Sequence, residues 1–111
     1  MTTTTPSEEP KEPVIVVDDD PDIVDSRKVQ FESWSRLDHN PDALRIYFEL
    51  TSPDVTGAHA TVVEDPSRVE VTLHIGGKPG TGPIHTDLAY IAGLDVRLGE
   101  PLGNRKVLSV F

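Results

Sequence analysis

Apolar and polar residues alternate at every step through Val69-Glu70-Val71-Thr72-Leu73-His74-Ile75. The same period of two runs through Leu94-Asp95-Val96-Arg97-Leu98 and resumes in Lys106-Val107-Leu108-Ser109-Val110-Phe111. Successive side chains on a strand point to opposite faces, so this period predicts strands with one buried and one wet face. Between the last two runs, Pro101-Leu102-Gly103-Asn104-Arg105 reads as a turn that brings them together as a hairpin. Three more strands are expected over residues 29–37, 44–51 and 58–64, and the run at 94–98 ends a strand that begins at residue 86. Asp65-Pro66-Ser67 should close a hairpin between residues 58–64 and 68–75. In the second of these strands Leu44, Ile46, Phe48 and Leu50 share one side, with Arg45, Tyr47 and Glu49 on the other. Within residues 29–37, Trp34 is out of phase with Val29 and Phe31, which suggests a bulge or an anchor on the second face. Gly93 is expected at a bulge or crossing, and residues 76–83, with four of the eight glycines, as a flexible loop. No window sustains a period of 3.6. The expectation is an all-β fold: an immunoglobulin-like antiparallel β-sandwich of six or seven strands over residues 28–111. Its inward apolar positions, at about 1.5–3 kcal/mol each, suffice without disulfide or metal.

Residues 1–27 differ in character. Residues 1–13 contain Met, Thr, Pro, Ser, Glu and Lys only. Such a composition buries too little to offset the entropy of ordering, so a disordered acidic arm is expected, with residues 14–17 the one part apolar enough to dock. The arm holds eight acids and two bases, against eleven and eight in residues 28–111. The net charge is −9, of which the arm supplies −6. That excess excludes nucleic acid and anionic membrane as expected partners. Cysteine is absent, which excludes disulfides and thiolate chemistry and leans towards the cytoplasm. The first residues carry neither a basic nor an apolar leader segment, which supports the cytoplasm, with secretion the alternative if a leader was removed. No later run is long enough to cross a bilayer.

Candidate chemistry is sparse. Val14-Ile15-Val16-Val17-Asp18-Asp19-Asp20 resembles the first strand and acidic pair of a response-regulator receiver domain, and Glu49-Leu50-Thr51-Ser52-Pro53-Asp54 its phosphoacceptor loop, with Glu49 in place of the aspartate. The segments between and after are too short for that fold's crossover helices, so a degenerate receiver is a minor third reading. Of the four histidines, His74 alternates outward from Leu73 and faces water or a partner. His59, His85 and Asp87 form a candidate metal set without H-x-H or H-E-x-x-H spacing. Residues 18–25 lack the spacing of a calcium loop. Residues 76–82 lack the ending of a phosphate loop. Ser26, Ser33, Ser35 and Ser109 have no base nearby in sequence. Trp34 and Tyr47, with His74, make a possible binding surface; the second side of the core is the favoured reading of the aromatic pair.

Val69, Val71 and Leu73, then a Gly/Pro loop, then Val96, Leu98, Pro101, Leu102, Gly103, Arg105 and Val107 form the pattern V-x-V-x-L … V-x-L-x-x-P-L-G-x-R-x-V. This resembles a group of uncharacterised β-sandwich proteins from Gram-positive bacteria, over about residues 28–111. The resemblance implies the fold but no activity. It also implies export and a cysteine pair, where this chain has Gly57-Ala58-His59 and Ile84-His85-Thr86. The expected function is a non-enzymatic, protein-binding or accessory domain needing no cofactor, its partner and oligomeric state open. The alternative is a small-ligand or metal-binding protein using surface histidines.

Overall fold

The computed structural model describes residues 1–80 and 88–111. Those residues form ten strands and no helix. The chain is all-β, as its period of two requires.

One sheet is built around β8 (Arg68–Gly77), the most regular alternation in the sequence. Strand β7 (Thr56–Glu64) runs antiparallel along its whole length as the predicted hairpin. The Asp65 carboxylate sets the reversal by accepting from the Ser67 and Arg68 amides. The other side of β8 is shared. β10 (Lys106–Val110) lies parallel to residues 68–71, and β4 (Val24–Val29) lies antiparallel to residues 73–77. β1 (Thr3–Thr4) adds antiparallel to β10. The second sheet has the order β2 (Ser7–Glu8), β5 (Ser33–Leu37), β6 (Asn40–Thr51), β9 (Ala89–Arg97), β3 (Ile15–Val17). Its centre is the antiparallel β6–β9 pair, from Ala43 opposite Arg97 to Thr51 opposite Ala89.

The two sheets share one core, an arrangement consistent with a β-sandwich. Val69, Val71 and Leu73 come from the first sheet; Leu44, Ile46, Phe48, Leu50, Leu94 and Val96 come from the second. Phe31 is fully buried where the chain passes from β4 to β5 and changes sheet. Its N–H donates to the buried Ser109 hydroxyl. This crossing is the physical origin of the phase change at Trp34. The expected strand over residues 29–37 is two strands in two sheets, with Val29 packing on the core from the first and Trp34 from the second.

Residues 1–27 are not a disordered arm in this structure; they wind around the rest. Thr2 and Phe111 exchange both backbone hydrogen bonds, at 2.6 and 2.8 Å, so the two ends of the chain meet. Pro6 is buried. β2 and β3 then sit on opposite edges of the second sheet, so residues 9–14 must cross its outer face. Extended chain of that length covers about 20 Å, which matches about four strand spacings of about 4.8 Å. Gly93 permits the crossing. It faces outward opposite Tyr47, and a Cβ there would lie 3.6 Å from Pro13 and 3.0 Å from the Arg45 side chain. Gly93 keeps regular register and is a point of close approach, so of the expected bulge or crossing it is the crossing that the geometry supports.

A second crossing follows. Asp19 bridges to Ala58 on the free edge of β7, while β4 lies on the far side of β8. Residues 20–24 pass between them over the outer face of the first sheet, at the cross-strand pair Gly57 and Gly76. A Cβ on Gly76 would stand 2.6 Å from the Val24 carbonyl oxygen, and one on Gly57 2.8 Å from Ile23. Asp25, just beyond, takes a left-handed φ of 52° in the irregular start of β4.

Three further expectations need correction. The sheets are mixed, with parallel pairs β2–β5, β3–β9 and β8–β10. The strands exceed six or seven because the winding segment contributes short ones. The last two strands are not a hairpin: β9 and β10 belong to different sheets. Residues 98–105 carry the chain between layers, and Arg105 folds back to organise them. Its guanidinium donates to Glu64 and to the carbonyls of Glu100 and Pro101. Glu64 in turn accepts from the Gly99 amide, which, with Arg105, lowers its pKa from the ordinary value.

Candidate functional site

The richest cluster of titratable side chains lies on the outer face of the first sheet. His59 of β7 and His74 of β8 are directly opposed residues. The alternation that sends Leu73 and Ala58 inward sends both imidazoles outward. The rings stack with centroids 5.8 Å apart and planes 28° apart. Lys28 of β4 opposes His74 on the other side. Asp19 closes the row: His59 Nδ1 is 3.0 Å from each of its oxygens. The Ala60 amide donates to the same carboxylate at 2.8 Å. An ionised carboxylate only accepts, so His59 donates to it from Nδ1, and it is the Nδ1–H tautomer that carries a lone pair on Nε2. Asp19 is held in place by the bridge to Ala58 and by the bond from the Asp20 amide to the Ala58 carbonyl.

This environment sets the charge of His74. Partial burial comes first, then His59 and Lys28, and all three push its pKa below the ordinary imidazole value. The face therefore presents a neutral imidazole at neutral pH.

The outward reading of His74 agrees with this geometry, although its direct neighbour is another imidazole. His59 joins it. His85 and Asp87 lie outside the described residues. Among the described residues no three His, Asp or Glu side chains converge as a metal centre. In the sequence Asp19 stands out only within the acidic run and its receiver-like acidic pair. Nothing in its local spacing signals a histidine forty residues away.

Trp34 and Tyr47 share no open surface; both are buried. Trp34 opposes Ile46 and points into the core. Tyr47 faces outward from the second sheet but is covered where residues 9–14 cross, and its hydroxyl bonds Ser35 Oγ at 2.7 Å. The aromatic pair is thus split between the inter-sheet core and the underside of the crossing segment. Ser33, Ser35 and Ser109 are buried. Ile15–Val17 is an edge strand, and the described residues hold no helix, so the receiver-like pattern has no counterpart in the topology.

Two surface features complete the picture. A cleft of about 460 Å³ opens beside the end of β6, lined among others by Lys11, Arg27, Glu32, Tyr47 and Glu49. Its mixture of both charges selects no ligand class. Along β3, Ile15 and Val17 pack on the core while Val14 and Val16 stay outside, 71% and 48% exposed. Ile91, 42% exposed, adjoins them through the bond from the Val14 amide to its carbonyl. Glu49 opposes Ile91, and Glu12 and Asp18 flank the strip in sequence. No helix among the described residues is long and apolar enough to cross a membrane. A scan against protein-family models finds no match, and comparison with curated proteins and with solved structures finds none either.

Proposed function

We propose that this chain is a non-enzymatic immunoglobulin-like β-sandwich that acts as a protein-binding or accessory domain. The facing sheets and alternating inward residues support the finer fold assignment. The observation that carries the function is the strip Val14, Val16 and Ile91 beside the edge strand β3. Exposed apolar side chains next to a strand edge that is unpaired among the described residues are the elements of recognition by strand addition. The acids around the strip favour a basic partner segment with apolar residues at alternate positions. The hydroxyls of Ser35 and Ser109 make structural hydrogen bonds, to Tyr47 and to the Phe31 amide. A cytoplasmic setting accords with the cysteine-free composition.

The test is a titration with extended peptides that alternate apolar residues with lysine, followed by backbone NMR. Shifts centred on residues 14–18 and 90–94, lost in Val16→Lys, are expected. Shifts centred elsewhere, binding unchanged by Val16→Lys, or equal binding of peptides with glutamate in place of lysine would overturn the reading.

A further inference from the structure

We propose that His59 and His74 form a two-imidazole binding site for a divalent transition ion of the copper, nickel and zinc group. The site lies on a different sheet from the strip along β3 and stands independently of the function proposed above.

Directly opposed residues of antiparallel strands have Cβ atoms about 4.5–5.5 Å apart, and here both side chains project from the same face. Metal–imidazole bonds of about 2.0–2.1 Å require two nitrogens roughly 3 Å apart. The rings stack with centroids 5.8 Å apart on neighbouring strands, so binding one ion calls for side-chain rotation that brings a nitrogen of each to that spacing. Asp19 supplies the second requirement. A ligating histidine commonly donates its other ring N–H to a carboxylate, which fixes the tautomer and raises the basicity of the free nitrogen. His59 has that arrangement through Nδ1, leaving Nε2 for the ion. A second carboxylate is near: Asp20 Oδ2 lies 3.3 Å from where a Cβ on Gly57 would stand, on the outward row that carries His59. Asp19 and Asp20 together outweigh the one positive charge of Lys28. Imidazole donors suit zinc, copper and nickel, whereas hard ions such as magnesium and calcium prefer all-oxygen sets. With two protein donors, water completes the coordination.

The probe is zinc chloride added to the full chain, followed by the imidazole resonances in NMR and by calorimetry. Saturable one-to-one binding is expected, with His59 and His74 shifting together and His39 unmoved. His59→Gln and His74→Gln should each weaken binding by about tenfold or more, and Asp19→Asn by about tenfold through the lost carboxylate partner of His59 Nδ1. His85→Gln should leave affinity within about threefold. Nickel added to the unaltered chain gives a readout independent of any variant: paramagnetic broadening should centre on residues 57–61 and 72–76. The proposal is overturned by the absence of saturable binding at millimolar zinc. Affinity indifferent to His74→Gln, a loss in His85→Gln equal to that in His74→Gln, or broadening centred elsewhere would overturn it equally.

Discussion

Gly76 shows how much one missing methyl group decides. The chain passes so close above it that an alanine would place its Cβ 2.6 Å from a backbone oxygen, which no side-chain rotation relieves. Gly76→Ala should therefore destabilise the fold by about 1–3 kcal/mol, the range for overpacking. Gly80→Ala meets no neighbour but takes a left-handed φ of 78°, so it measures the cost of φ alone. Paired urea melts separate the two effects. His74 gives a second prediction at this scale. Its folded pKa is depressed, so the unfolded chain binds the proton more readily. Its contribution to stability is present above the ordinary imidazole value near 6.5. It falls as pH drops through the lower folded value and does not change further below it. The urea midpoint of the native chain should fall more steeply than that of His74→Gln between neutral pH and pH about 5. Parallel curves would show that His74 is not responsible. The outward direction of His74 was legible in the alternation around Leu73. Its partner was not, because a cross-strand neighbour depends on a register that sequence spacing alone does not set.

Among the elements, the strands with unbroken alternation were legible and the crossings were not. β7, β8 and the Asp65 turn follow directly from the local pattern. The last two strands misled because a Pro-Leu-Gly-Asn-Arg segment serves equally for a hairpin and for a step between layers. What distinguishes the two is Arg105, whose side chain is largely buried among carbonyls and Glu64. Arg105→Met keeps much of the packing and removes those bonds. It should cost about 1.5–3 kcal/mol, the range for hydrogen bonds to a charged group, read as a shift in urea midpoint. The winding amino-terminal segment was hidden for another reason. Its own residues bury little, and its order comes from covering others. Pro6 and Pro13 supply rigid contacts, and Tyr47 lies beneath the crossing. Removing residues 1–13 should expose Tyr47 and cost on the order of 2 kcal/mol, one buried side chain's worth. Amides of residues 33–35 and 109–110 should then exchange faster with solvent. Unchanged protection there would show that the segment adds nothing to these edges.

For the molecule as a whole, the sheets are held together by pairings between distant parts of the sequence. β10 reaches back to β8, β3 forward to β9, and β1 across the entire chain to β10. Each requires a large loop to close before its contacts form, so folding should be slow for this size. The meeting of Thr2 with Phe111 has its own consequence. The molecule is topologically almost a ring, lacking one covalent link. A peptide ligated between its ends by a few flexible residues would close the circle with little distortion. Cyclisation would remove conformational freedom from the denatured chain while leaving native pairings intact. The cyclic form should melt several degrees above the linear one and recover its fold faster, since the β1–β10 pairing would become local. A lower melting temperature would mean that the two ends do not rest side by side in solution. The same proximity governs any polypeptide joined to either end: it departs from a single corner, where both sequence neighbours share one exit.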